Sequence, residues 1–200
     1  MNQTNVGNMH NIICLENEWL FNSQNGNQFD LETKLLLDCL KNFHNCNIIH
    51  RHILSKENLQ YYMDFFTKDK RKFNKYDVIY IACHGWNHAI SLESENGYID
   101  IDLTELAEMN EFFFANKIVH FSSCRTLANK DVALQFKERT GAKLVTGYKS
   151  SVDAMKSAIA DLAYFNELMH IKNTGIILNE KSKFWKTYKS LLDELKFIAV

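Results

Sequence analysis

The chain has 200 residues, 46% of them hydrophobic and 12% aromatic, which is enough to bury a substantial core and too apolar for a disordered segment. Its 23 basic and 24 acidic side chains leave a formal charge of −1. The densest basic run, Lys68-Asp-Lys-Arg-Lys72, contains an acid and fits a solvated loop, so charge argues against nucleic acid as a partner. Residues 1–9 are polar and expected to be loose. A first strand is predicted over His10–Leu15, around Ile12 and Ile13, followed by a turn-rich loop over Asn22–Gln28. Asp30 is placed to cap a helix running to about Asn45, with Leu31, Leu35, Leu36, Leu40 and Phe43 on its apolar face. Asn47–Leu54 reads as a second strand. Ser55 is then an N-cap, with Asn58 where a Glu or Gln would complete a capping box, and the helix behind it carries Leu59, Tyr62, Met63 and Phe66. Tyr76–Cys83 is continuously apolar, as a central parallel strand should be.

Ile90–Ser94 and Tyr98–Ile101 flank Glu95-Asn-Gly97, a hairpin signal. A helix over Asp102–Phe114 leads to the strand in Lys117–Arg125 (Lys-Ile-Val-His-Phe-Ser-Ser-Cys-Arg). A short helix over Lys130–Arg139 ends at Thr140-Gly141, and Ala142–Tyr148 is another strand. Asp153–Met169 is a long helix with Met155, Ile159, Leu162, Ala163 and Leu168 facing inward, and Ser182–Phe197 closes the chain as a final helix. Strands alternating with helices predict one α/β domain over residues 1–200, a mostly parallel sheet covered on both faces. Neither a linker nor an internal repeat interrupts it.

The five cysteines are odd in number and lack CxxC spacing, which argues against a disulfide framework and for a reducing compartment. The N-terminus shows no secretory pattern and no apolar run approaches the roughly 20 residues of a membrane helix, so the expectation is a cytoplasmic protein without membrane contact.

Two apolar strands end in chemistry. Val78–Cys83 runs into His84-Gly85, and Ile118–Phe121 runs through Ser122 and Ser123 into Cys124. Parallel neighbours would bring His84 and Cys124 to one sheet edge, where open α/β sheets place their crevices. The segment after Cys124, Thr126-Leu-Ala-Asn-Lys-Asp, leads into a helix whose N-terminus would favour a thiolate. Cys124 can serve as nucleophile and His84 as proton carrier. Gly85, lacking a Cβ, can bring its N–H close to a substrate carbonyl, with the Cys124 N–H as a second oxyanion donor.

This arrangement resembles the caspase-like cysteine peptidases (clan CD), and within them the bacterial CHAT and separase-type domains. The resemblance covers about residues 76–170: an apolar strand ending in His-Gly, a hairpin and helix, an apolar strand ending in Cys, then Gly141–Asp153 and an apolar helix with Ala163-Tyr-Phe-Asn-Glu-Leu168. It implies a three-layer caspase-like sandwich with a small hairpin after the His-Gly strand. It also implies a cysteine endopeptidase acting on a protein or peptide substrate. Asp153 matches the acidic residue that receives a basic side chain at the cleavage position. Tyr148 and Trp86 read from the sequence either as substrate-binding cleft walls or as ordinary packing. Lys149-Ser-Ser stands where many CHAT domains have a Trp-Pro turn. No cofactor is implied; regulation by an activating protein partner or ligand, as in bacterial defence, is.

The same residues have plainer readings. Cys83 points opposite to His84 and is assigned to the core. His88 follows Trp86-Asn87 into a loop. His50 and His52 share one face of a strand and could ligate a metal, but without an evident third ligand they are assigned to a polar sheet face or edge. His120 is assigned to a hydrogen bond in the core, and Asp153 serves equally as a helix cap. A catalytically silent caspase-like module that binds a partner, and a flavodoxin-like domain, stand as alternatives; the second lacks a GxGxxG or P-loop after its first strand.

Overall fold

Five strands run parallel in one sheet, and a sixth closes one edge of it in the opposite direction. A computed structural model describes residues 10–17, 33–94 and 97–200, leaving out the side chains of 93–94. The expectations for residues 1–9, for the 22–28 loop, for the Asp30 cap and for the hairpin turn at 95–96 lie outside the described residues.

In chain order, β1 (Ile12–Glu16) is followed by α1 (Thr33–Phe43), β2 (Ile48–His52), α2 (Lys56–Lys68), the short α3 (Lys70–Phe73) and β3 (Val78–Ala82). Three short strands come next, β4 (His84–Trp86), β5 (Ala89–Ser94) and β6 (Gly97–Asp102). The rest of the chain is α4 (Leu103–Met109), β7 (Ile118–Ser122), α5 (Lys130–Thr140), β8 (Leu144–Tyr148), α6 (Ala154–Leu168), α7 (Gly175–Leu178), α8 (Lys183–Leu195) and β9 (Phe197–Ala199). The main sheet is six-stranded in the order β2-β1-β3-β7-β8-β9, and β4-β5-β6 form a separate antiparallel sheet.

Because strand residues alternate between faces, one sheet feeds two cores. Ile13, Leu15, Ile79, Ile81, Val119, Phe121 and Val145 pack under α2, α4 and α5. Ile12, Cys14, Val78, Tyr80, Ile118, Leu144 and Tyr148 pack under α1, α6, α7 and α8. The result is a three-layer α/β/α sandwich. Ile79, Ile81, Val119 and Phe121 are fully buried, each stabilising the sheet by about 1.5–3 kcal/mol. No helix among the described residues is long and apolar enough to cross a membrane.

Local signals account for several boundaries. The Ser55 hydroxyl accepts from the Asn58 amide, and the Asn58 side chain accepts from Leu54 N–H at 3.2 Å, so Asn58 does the work of the missing capping-box Glu. Gly141 ends α5 at φ 67°, a left-handed position that suits glycine.

Four expectations are corrected. The buried residues of α1 are Thr33, Leu37 and Leu40, whereas Leu35 and Phe43 are each 81% exposed. The run Leu35-Leu36-Leu37 leaves the rotation open, and the Thr33 amide, bonded to the buried Glu16 carboxylate at 2.9 Å, settles it. On α6 Ala163 and Leu168 face inward as expected, together with Ser157, Ala160, Asp161, Tyr164 and Phe165, whereas Met155 is 70% and Ile159 51% exposed. A buried aspartate breaks the apolar pattern there. The last helix stops at Leu195, because Lys196 takes the left-handed conformation (φ 50°) without a glycine to announce it, and 197–199 becomes β9, antiparallel to β8. The helix over Asp102–Phe114 ends at Met109; Phe113 and Phe114 are buried from a turn.

Candidate active site

The parallel register of β3 and β7 pairs Ala82 with Ser122. His84 and Cys124 each lie two residues further along, so their turns leave the same carboxyl edge of the sheet. Beyond β3 the chain enters β4 directly, and His84, Gly85 and Trp86 pair with Ser91, Ile90 and Ala89 of β5. The expected loop at Trp86-Asn87 is the tight turn of this hairpin, with His88 at φ 72°.

Gly85 presses against the Cys124 turn. A Cβ on it would fall 2.4 Å from the Cys124 carbonyl oxygen, 2.4 Å from Thr126 Oγ1 and 2.9 Å from Ser123 Cβ. The two turns are also bonded together. Thr126 Oγ1 donates to the Ala89 carbonyl (2.9 Å), and His88 N–H donates to the Arg125 carbonyl (3.3 Å). Arg125 is held at φ 56°, a conformation uncommon for a side chain of its size, with its N–H on the Ser150 carbonyl at 3.1 Å. Replacing Gly85 by Ala is therefore expected to push the two turns apart. On the expectation of a peptidase site, the Gly85→Ala protein should lose most of its turnover while its unfolding free energy falls by only about 1–3 kcal/mol, which activity and thermal melts measured on one preparation would check.

Cys124 is half-buried, and its sulfur accepts from the Val152 N–H at 3.4 Å. Val152 lies just ahead of α6, so the helix that starts at the sulfur is α6, whereas α5, the expected one, begins only at Lys130. Asp153 follows Val152 at the same edge. It is exposed and caps α6 by accepting from the Lys156 N–H at 2.9 Å. The cap and the position beside the thiol coexist.

On the other side, His84, Gly85, Trp86, Ser91, Tyr98 and Asp100 line an open cleft of about 350 Å³. The His84 ring stands edge-on to Tyr98, with centroids 5.5 Å apart. Trp86, 56% exposed, forms a wall, and the Arg125 guanidinium lies 5.1 Å from the centre of its ring. Ser91 Oγ donates to Asp100 at 2.5 Å, and the strand pairing puts His84, Ser91 and Asp100 in one row across the three-stranded sheet. Ser91, Tyr98, Asp100 and Arg125 were not singled out from the sequence. The signal existed in the hairpin, since a turn at Glu95-Asn-Gly97 sets Ser91 opposite Asp100.

Tyr148 does not belong to this cleft. It is fully buried, and its hydroxyl donates to Asp161 and lies 3.3 Å from the Ser157 carbonyl. Burial pushes its phenol well above the ordinary range, and the nearby Asp161 charge adds to this. Cys83 sits in the core on the opposite face from His84, its thiol pushed up by burial.

His120 is fully buried, with Nε2 on Asp161 Oδ1 (2.7 Å) and Nδ1 on Thr146 Oγ1 (2.8 Å). Asp161 also accepts from Tyr80 (2.9 Å), Ser122 (2.5 Å) and Tyr148, so one carboxylate on α6 gathers β3, β7 and β8 beneath the edge that carries His84 and Cys124. His50 and His52 lie on β2, the edge strand. Among the described residues, Cys14, Glu16 and His50 form a cluster able to hold a metal ion, on β1 and β2 and so at least two strands to the side of β7.

Comparison with curated proteins gives no match. Residues 9–198 match a family of unknown function, DUF6642, and the chain belongs to that family.

Proposed function

We propose that this protein is a caspase-like cysteine endopeptidase that uses Cys124 and His84. The observation that carries the reading is the close packing of Gly85 on the Cys124 carbonyl at the ends of two adjacent parallel strands. In this reading the Cys124 sulfur attacks the scissile carbonyl carbon and forms the S–C bond. The carbonyl electron pair moves onto oxygen, where the N–H groups of Gly85 and Cys124 receive it; a donor of this kind contributes about 10²–10³ in rate. The tetrahedral intermediate collapses, the C–N bond breaks, and His84 delivers a proton to the departing amine. Water, deprotonated by His84, then hydrolyses the thioester and restores the thiol.

Asp153, beside the Val152 amide that touches the sulfur, is the group for a basic side chain before the cut, and Trp86 walls the His84 side. The substrate is an extended protein or peptide segment, and the family resemblance supports control by an activating partner. All five cysteines are free, which fits a reducing cytoplasmic setting.

A peptide library varied at the cleavage position, read by mass spectrometry, tests the reading. Hydrolysis after Arg or Lys is expected, and Asp153→Asn should reduce kcat/KM for those peptides about tenfold. Asn caps a helix as well as Asp does, so the melting temperature should hold. An unchanged basic preference in that variant would remove Asp153 from the pocket.

A further inference from the structure

The strand pair at the far edge of the sheet carries a second arrangement of reactive side chains. Cys14 and Glu16 alternate along β1 and share a face, as do His50 and His52 along β2. The parallel register pairs Cys14 with His50 and Glu16 with His52, so four metal-ligating side chains form a two-by-two array on one side of the sheet. The ligating atoms of Cys14, Glu16 and His50 lie within 4.8 Å of one another, and His50 Nε2 is 2.6 Å from Glu16 Oε2. Cys14 and Glu16 are fully buried, whereas the His50 side chain is 20% exposed and leaves a route in from solvent.

We propose that Cys14 Sγ, His50 Nε2 and the Glu16 carboxylate bind a divalent borderline metal ion of the zinc class. His52, two residues along the same face, is the register partner of Glu16. Three observations carry this. The donor set mixes sulfur, nitrogen and oxygen, which suits Zn²⁺ or Co²⁺ and suits neither Mg²⁺ nor Ca²⁺. The Thr33 amide donates to Glu16 Oε1 (2.9 Å) and the Thr33 hydroxyl contacts Oε2, so the carboxylate is already oriented from behind, as second-layer partners orient ligands. Charge also balances: a thiolate, a carboxylate and a neutral imidazole around a divalent ion sum to zero, the condition for placing them in a dry interior. The thiol proton leaves to solvent on binding, and the ring proton of His50 resides on Nδ1. The Cys14 thiol makes a weak hydrogen bond with the Thr33 hydroxyl at 3.7 Å.

The ion would tie the edge strand β2 and the start of α1 to β1, making the site structural and separate from Cys124. The test is a titration of Co²⁺ into the full-length Cys124→Ala protein, which removes the thiol that would compete. The expected result is a thiolate-to-cobalt charge-transfer band with the visible bands of a four-coordinate ion, saturating at a single equivalent and displaced by Zn²⁺. Cys14→Ser should erase the charge-transfer band, and His50→Gln should weaken binding by about 10–100-fold. Zn²⁺ at about 100 times its dissociation constant should raise the melting temperature of the parent protein by about 5–10 °C. Should Cys14→Ser not fold, the partly exposed His50→Gln substitution carries the test alone. A charge-transfer band that survives Cys14→Ser, affinity unchanged in His50→Gln, or no band at all would overturn the proposal.

Discussion

On the proposed reading, Cys124→Ala should abolish turnover and leave the protein almost as stable as before. The sulfur is half-buried at a turn, and its contacts are the backbone of Val152, so removing it opens no cavity in either core and costs less than about 1 kcal/mol. The chemistry loses its nucleophile. Turnover should fall by at least about 10⁴-fold, down to what the oxyanion donors and substrate positioning support without covalent attack. His84→Ala should cost about 10²–10⁴-fold, the usual worth of a positioned proton donor. The double variant should be no worse than Cys124→Ala, because groups that act as one unit do not add. Steady-state kinetics on a cleaved peptide, with thermal melts of the same samples, check all three.

Asp161→Ala should do the reverse and remove stability first. That carboxylate is fully buried and accepts from His120, Tyr80, Ser122 and Tyr148, so its loss takes the acceptor from three core donors and leaves Tyr148 with the Ser157 carbonyl at 3.3 Å. Breaking a buried charged network from one side costs about 3–5 kcal/mol. For a chain of this size that is a fall of roughly 6–20 °C in melting temperature. The network also sets an acid limit. Burial alone would raise the Asp161 carboxyl, but the His120 charge and the hydrogen bonds from His120, Ser122 and Tyr148 outweigh it and hold it below the usual carboxylate range. A group depressed in the folded state contributes its full stability above its unfolded value, near 3.9, and loses it as pH falls through the folded one. Asp161→Asn should therefore flatten the stability profile below about pH 4, where denaturant melts of the parent steepen. Ser122 lies two residues ahead of Cys124 on β7, so loosening the network should also blur the catalytic edge.

The alternation of strands and helices was legible because β3 is a short apolar run and β7 is another, broken by His120 and ending at Ser122. Their order also placed His84 and Cys124 at one edge. What periodicity could not reveal were the positions where polar chemistry overrides it. Asp161 and His120 sit in the core because they satisfy one another there, and that turned α6 away from the face its Met155 and Ile159 suggested. Tyr148, expected in the cleft, was drawn inward by the same carboxylate. The strand β9 follows a left-handed Lys196, where a glycine would have marked the stop. In the cleft row His84–Ser91–Asp100, the hairpin signal reached only the Ser91–Asp100 pair; the pairing of His84 with Ser91 came from a second turn that carried no such signal. The partners of His50 were missed for the same reason: Cys14 and Glu16 are over thirty positions away in the chain and meet it through the β1–β2 register.

The most direct measurement is covalent labelling. Purified protein is incubated with peptide acyloxymethyl ketones carrying Arg, Lys, Asp or Leu at the cleavage position, and adducts are located by intact mass and peptide mapping. A single adduct on Cys124, strongest with Arg or Lys and lost in His84→Ala, is the expected result. Modification spread over the other cysteines, or equal labelling of Cys124 with and without His84, would contradict a His84–Cys124 peptidase site.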